Sequence, residues 1–287
     1  MRVRIVEPEG LARLADEAWV DRKRRPYVSD GIAYVPVRDG WEAELVLPDR
    51  RPYSGRGFTM IGTIALLEGE EPTEDQVRQV REWKNPTGIL WLRARKGTLR
   101  LPDVRVVYGE SSVVTHHEMG MVYRLDPSQV MFSRGNRLEK ARMMRITRKG
   151  ERVADMFAGI GQFSLPLAKA GAKVHAMELN PVAYDYLCKN IEENGLSGQA
   201  TAECGDSRDL LFGWYDRIVM GHFYAPDLLS AATGHILPGG TIHLHTACEE
   251  TPSLGEDYTD SFVVETIRRV KKVRPHTWHY VLDLRAT

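Results

Sequence analysis

The stretch Asp155–Pro181, DMFAGIGQFSLPLAKAGAKVHAMELNP, decides the fold of this 287-residue chain. The apolar run Arg152–Gly159 reads as a strand, glycines follow at 159 and 161, and a helix-forming segment ends at Gly171. Strand, sharp turn and helix in that order open a parallel α/β unit. Glycine lets the backbone come close to a ligand there, and the helix start presents free N–H groups. A GxG turn alone serves packing just as well. The added weight comes from Glu178, which ends the next strand 17 residues after Gly161.

A carboxylate at that strand end accepts both hydroxyls of a ribose. Asp206 ends the third strand, in CGDSRDL, where an acid receives the exocyclic amine of adenine. A dinucleotide pyrophosphate calls for a third glycine near Ser164, and none is there. Adenosine without phosphate fits better, which makes S-adenosyl-L-methionine the expected co-substrate. Asp155, Phe157, Gly159, Gly161, Glu178, Asp206 and Ser207 are the candidate cofactor-binding residues of this region.

Working outward, the second half alternates strand-like and helix-like runs with short connections, the pattern of a parallel sheet covered by helices. YDRIVMG and GGTIHLHTA continue the sheet, and β-rich runs flank Arg274-Pro275 as a closing hairpin. A terminal antiparallel hairpin on a Rossmann-like core is the α/β fold of class I methyltransferases. In the first half, GIAYVPVRDGWEAELVLP reads as two strands joined around Asp39-Gly40, and TEDQVRQVREWKN as an amphipathic helix opened by Thr73. GILWLRA, DVRVVYG and GMVYRLD read as further strands. The expected division is a smaller α+β domain over 1–130, a basic connector over 131–150 and the transferase domain over 151–287.

Hydrophobic residues make up 43% and charged residues 27%, the profile of a globular protein. No apolar run approaches a membrane span, and the N-terminus has no secretory core, so the protein reads as cytoplasmic. Cys188, Cys204 and Cys248 are far apart and read as buried free thiols. The net charge of zero conceals an asymmetry: residues 1–150 carry 27 Lys and Arg against 21 Asp and Glu, and residues 151–287 carry 12 against 18. Most of the excess lies in Ser133–Gly150, where seven basic residues face only Glu139. A solvated helix face and a polyanion-binding face both fit that run.

Metal chemistry is not expected. His116, His117 and Glu118 are adjacent on one strand and cannot converge on an ion, and His243 and His245 share a strand face with no third ligand at usable spacing. After the fourth strand, where this fold keeps its chemistry, the chain reads IVMGHFYAPDLL rather than the Asn-Pro-Pro-Tyr of adenine-amino methylation.

THHEMGMVYRLDPSQVMFSRGNRLEKARM followed by VADMFAGIGQFSLPLAK resembles the archaeal and eukaryotic enzymes that act on guanosine 37 of tRNA. Within that group, GHFYAP in place of Asn-Leu-Pro and FSRGN in place of FSPR are similar to the wybutosine-synthesis branch, the tRNA 4-demethylwyosine aminocarboxypropyltransferases. The resemblance implies transfer of the 3-amino-3-carboxypropyl group of S-adenosyl-L-methionine to carbon 7 of the base at position 37 of tRNA(Phe). It implies a tRNA partner held at the anticodon stem-loop. It also marks Ser133 and Lys140 as cofactor-binding, Lys140 toward the methionine carboxylate; Asp155, which in methyltransferases binds the methionine ammonium, would lie near the methyl group with the arm swung away. His222 and His245 are candidate catalytic proton acceptors, and Arg134, Arg137, Arg145 and Arg148 candidate RNA-binding residues, with Arg22–Arg25 as a further basic patch. The alternative on the same substrate is guanosine-37 N1-methylation. The alternative of another class is a non-catalytic tRNA-binding protein, against which the intact set from Asp155 to Asp206 argues. Nothing in the sequence calls for a membrane or an obligate protein partner.

Overall fold

The structure, a computed structural model, describes residues 1–14, 16–29, 32–47 and 53–287. They form two compact units, Met1–Ser54 and Gly55–Thr287. In the first unit, β1 (Arg2–Val6), β2 (Tyr27–Ser29), β3 (Ile32–Pro36) and β4 (Leu45–Val46) form a sheet in the order β2-β3-β1-β4. Val35 and Val37 pack with Trp19 and Val20 as its core. The hairpin expected around Asp39-Gly40 does not form. The chain does turn there, with Gly40 at φ +89°, but β3 and β4 each pair with β1, which lies between them. Alternation sets which face of a strand is buried and leaves its partner open.

In the second unit, β5 (Thr59–Ile61), β6 (Ile64–Glu68), β7 (Gly88–Lys96) and β8 (Leu101–Gly109) make a mixed sheet, with α1 (Glu74–Lys84) as the crossover between parallel β6 and β7. Thr73 and Gln76 cap α1 reciprocally, side chain to backbone in both directions. The hairpin of β9 (Val114–Glu118) and β10 (Met121–Leu125) follows. Residues 55–130, expected with an N-terminal domain, thus share a unit with the large sheet.

That sheet comprises β11 (Arg152–Asp155), β12 (Lys173–Glu178), β13 (Ala200–Cys204), β14 (Tyr215–Met220), β15 (Ile236–Cys248), β16 (Phe262–Arg274) and β17 (Thr277–Ala286). Its order is β13-β12-β11-β14-β15-β17-β16, parallel except for β17, and the closing hairpin turns at Pro275-His276 as read from the sequence. This is the Rossmann-like α/β fold expected. The helices are α2 (Arg137–Ile146), α3 (Ser164–Lys169), α4 (Pro181–Glu193), α5 (Ser207–Leu210) and α6 (Leu229–Thr233). Val153, Ala176 and Val219 enter one core cluster, while their neighbours Ala154, Met177 and Met220 enter another. The sheet is therefore buried on both faces, as covering helices require.

Two asparagines of α4 and its C-terminal cap dock the β9–β10 hairpin. Asn194 accepts from Val122 N at 2.9 Å and Asn190 accepts from Arg124 N at 2.7 Å, while Asn190 also donates to Ile160 O in the glycine turn at 3.0 Å. Of the cysteines, all are free, but Cys204 is exposed and the other two half-buried, not buried as expected. No helix among the described residues is long and apolar enough to cross a membrane.

Candidate functional site

Strand order reverses between β11 and β14, and the loops after the strand ends there open a cleft, where open α/β sheets bind ligands. A cavity of about 860 Å³ occupies this place. Gly159, at φ +56°, lines it, and a Cβ built on it meets no atom within 4 Å. Gly161 does a different job. At φ +96° it packs so tightly that a Cβ would lie 1.9 Å from Leu165 Cδ1, and it does not line the cavity.

Glu178 lines the cavity with its carboxylate already oriented. One oxygen accepts from Gly159 N at 2.7 Å and the other from Asn180 N at 2.8 Å. Burial pushes its carboxyl up, and those backbone donors oppose the shift. Asp206 and Ser207 also line the cavity. Asp206 caps α5, accepting from Arg208 N at 2.9 Å, and the Arg208 guanidinium beside it holds its carboxyl below the usual range. Phe157 lines the wall, stacked on His222 with ring centres 5.2 Å apart.

Asp155 lies apart from this set. It is fully buried, accepts from Ser164 Oγ at 2.6 Å and does not line the cavity. Burial raises its carboxyl to about 6.

Lys140 is where the structure departs most from the sequence reading. It was expected to receive a carboxylate, yet it is fully buried, does not line the cavity, and its ammonium is bonded to Glu118. The same ammonium donates to Gln162 Oε1 at 3.3 Å and Ser133 O at 3.4 Å, and Gln162 Oε1 accepts from Ser133 N at 3.0 Å. Lys140 therefore holds the Ser133 backbone in place from behind. Ser133 itself lines the cavity, and its hydroxyl accepts from Lys271 Nζ at 2.9 Å. Lys271 lines the cavity too. It was passed over because nothing in VETIRRVKKV separates it from its neighbour Lys272.

The histidines divide. His222 lines the cavity, Tyr224 N donates to its Nδ1 at 3.2 Å, and burial brings it down to about 4. His245 is fully buried behind the wall and does not line the cavity; its Nδ1 lies 2.9 Å from His279 Nε2. His279, which the sequence reading missed, is the member of that pair at the cavity. His243 is held elsewhere, 2.6 Å from Asp283.

Within the basic connector the charges sort themselves. Arg142 bonds Glu139 and Asp283 on β17, tying α2 to the sheet. Arg134, Arg137, Arg145 and Arg148 are exposed and have no carboxylate within ion-pair distance among the described residues; of these only Arg134 lines the cavity. Arg22–Arg25 are exposed in the first unit.

Residues 114–272 match the TRM5/TYW2 methyltransferase domain. The chain is similar to a curated relative, the tRNA(Phe) (4-demethylwyosine(37)-C(7)) aminocarboxypropyltransferase of Methanocaldococcus jannaschii, at 33% identity over 80% of this chain and 97% of that protein. Among solved structures it is similar to Pyrococcus horikoshii TYW2 in complex with MeSAdo, with TM-score 0.69, 30% identity, and 80% and 90% of the two chains covered. It is also similar to Trm5b from Pyrococcus abyssi, with TM-score 0.71, 27% identity and 99% of each chain covered.

Proposed function

The chain belongs to the family of the TRM5/TYW2 methyltransferase domain, and we propose that it transfers the 3-amino-3-carboxypropyl group of S-adenosyl-L-methionine to carbon 7 of 4-demethylwyosine at position 37 of tRNA(Phe). The observation that carries this reading is the cavity wall after β14. Gly221–Tyr224, the residues that stand where the N1-methyltransferases have Asn-Leu-Pro, wall the same cavity as Glu178 and Ser133.

The residues fit the co-substrate. Glu178 has both oxygens fixed for the ribose, Asp206 and Ser207 stand near for adenine, Phe157 gives an apolar wall, and Gly159 leaves the approach clear. The volume suits a ligand of this size. The sulfonium supplies electrophilic carbons: bonding of carbon 7 to the γ-carbon breaks that carbon's bond to sulfur, leaves the electron pair on sulfur in methylthioadenosine, and frees one proton from carbon 7. Orientation selects which carbon is attacked, so positioning supplies most of the rate. His222, at the wall and kept neutral by burial, is the better placed of the two candidate proton acceptors; His245 reaches the cavity only through His279. Asp155 acts through the turn it holds, since its carboxylate caps Phe157 N and Ser164.

The tRNA is gripped at its anticodon stem-loop by Arg134, Arg137, Arg145 and Arg148, and Arg22–Arg25 of the first unit are a further basic patch for RNA. The protein works in the cytoplasm in this reading.

Transfer of the methyl group to N1 of guanosine 37 is the second reading, favoured by the whole-chain likeness to Trm5b, which covers 99% of this chain where the TYW2 structure covers 80%. Incubation of tRNA with S-adenosyl-L-methionine labelled either in the methyl group or in the carboxypropyl carbons separates them. Label from the carboxypropyl carbons alone is expected in RNA; methyl label alone overturns the proposal in favour of N1-methylation.

A further inference from the structure

With Lys140 locked to Glu118, the methionine carboxylate of the proposed co-substrate is left without the cation the sequence assigned to it. A second cation stands at the Ser133 hydroxyl. Lys271 is carried on β16, at a point where the β16–β17 register slips: Arg269 faces Tyr280 and Lys271 faces the next residue, His279, leaving Val270 as the extra residue of a bulge. Bulges re-aim side chains, and this one leaves Lys271 lining the cavity with its ammonium 2.9 Å from Ser133 Oγ.

Three features mark the ammonium as placed to receive an anion. No carboxylate lies within ion-pair distance of it among the described residues; Glu68, which lines the same cavity, acts on it only from farther away and is itself bonded to Arg95. Arg100 also lines the cavity, its guanidinium over the Phe223 ring at 4.8 Å with no carboxylate within ion-pair distance among the described residues, so the positive field is shared. And Gly135 clears the space: a Cβ there would lie 2.7 Å from Lys271 Cδ and 2.9 Å from its Nζ. Glycine in FSRGN is thus what allows the ammonium to reach Ser133.

We propose that Lys271, with the Ser133 hydroxyl, is the receptor for the carboxylate of the aminocarboxypropyl arm, and so a residue that decides how the sulfonium is turned toward the base. The proposal rests on S-adenosyl-L-methionine being the co-substrate. Lys271 acts as the anchor for the arm, Ser133 as a second donor once its hydroxyl turns to the anion, and Lys140 as the positioning residue that fixes the Ser133 backbone.

The test is a binding cycle without tRNA, by calorimetry, using S-adenosyl-L-methionine and its decarboxylated analogue, which differ only in the carboxylate. Native protein is expected to prefer the carboxylated ligand by on the order of 10- to 100-fold, the range of a charge-assisted hydrogen bond. Lys271→Met is expected to abolish that preference while leaving the affinity for the decarboxylated ligand within about twofold, which also shows that the fold is intact. Lys271→Arg is expected to restore part of it. Gly135→Ala, which keeps the charge but displaces it, is expected to reduce the preference several-fold. A preference that survives in Lys271→Met, or an equal fall for both ligands, overturns the assignment. Native protein that binds neither ligand overturns the proposed function itself, and a methyl-only outcome of the labelling experiment does so without touching these binding results.

Discussion

The ammonium of Lys140 is bonded to the carboxylate of Glu118 with both side chains shut off from solvent, one on α2 and one at the end of β9. Burial pulls Lys140 below the usual lysine range, and the Glu118 carboxylate opposes that pull. The pair joins the connector to the β9–β10 hairpin behind the cavity. The Lys140 ammonium also donates to the Ser133 carbonyl and to Gln162, and Lys140 does not line the cavity.

Removing one member strands the other charge in the interior. Lys140→Met is expected to destabilise the protein by about 3–5 kcal/mol, and Lys140→Met with Glu118→Leu to recover most of that. Urea unfolding at pH 7 measures both. A single-variant loss below about 1 kcal/mol would remove the pair from any structural role.

Glu178 meets two backbone donors with its two oxygens, so neutralising it leaves an amide N–H facing an N–H. Glu178→Gln is expected to weaken S-adenosyl-L-methionine and methylthioadenosine alike, by on the order of 10- to 100-fold. The equal effect on both ligands distinguishes it from Lys271, which acts on the carboxylate alone. Isothermal titration at fixed pH reads this, and wild-type affinity for both ligands would refute the ribose assignment.

Asp155 is raised by burial from 3.8 to about 6. Between those values the folded chain keeps a proton that the unfolded chain has released. Stability from this group is therefore complete below the unfolded value and is lost as pH rises through about 6. Asp155→Asn has no charge to bury. Its midpoint of thermal unfolding is expected to rise relative to that of the native protein as pH goes from about 5 to about 7.5. A difference that stays flat or moves the other way contradicts the shift.

Arg134, Arg137, Arg145 and Arg148 are exposed without carboxylate partners among the described residues, so their replacement by glutamine is expected to leave the fold unchanged. Binding to tRNA should weaken and become less salt-dependent, the slope of log K against log salt falling by about 0.7–0.9 for each phosphate no longer neutralised. Filter binding over a salt series measures this. An unchanged slope would exclude these four from the RNA interface.

The two glycines of the turn should part company under the same substitution. Gly161→Ala drives a Cβ into Leu165 at positive φ, and a loss of about 2 kcal/mol or more is expected. Gly159→Ala meets open space, and only the backbone cost of about 1 kcal/mol applies. Calorimetric melting of the two variants ranks them, and equal losses would contradict the packing described for Gly161.

Much of the large sheet was legible because its signals are local. Apolar runs punctuated by Gly159, Gly171 and Gly195, the Asn180-Pro181 helix start and the break at Arg274-Pro275 each act within a few residues. Glu178 was legible for the same reason, since a strand end in a parallel unit has one place to be. The hairpin at Asp39-Gly40 failed because β1, from the chain's first residues, enters between β3 and β4. The partner of Lys140 was not legible because Glu118 lies 22 positions away on a hairpin docked by Asn190 and Asn194.

The sequence by itself determined the parallel α/β unit, the glycine turn, the carboxylate at Glu178 and an excess of positive charge in the connector. The tertiary structure alone decided which of those charges are free. It joined Arg142 to Asp283 and Lys140 to Glu118, left Arg134, Arg137, Arg145 and Arg148 in water, and used a bulge in β16 to bring Lys271 to Ser133. The reason is that a side chain's electrostatic role depends on the charge beside it and the water around it. Both are set by chain segments distant in sequence.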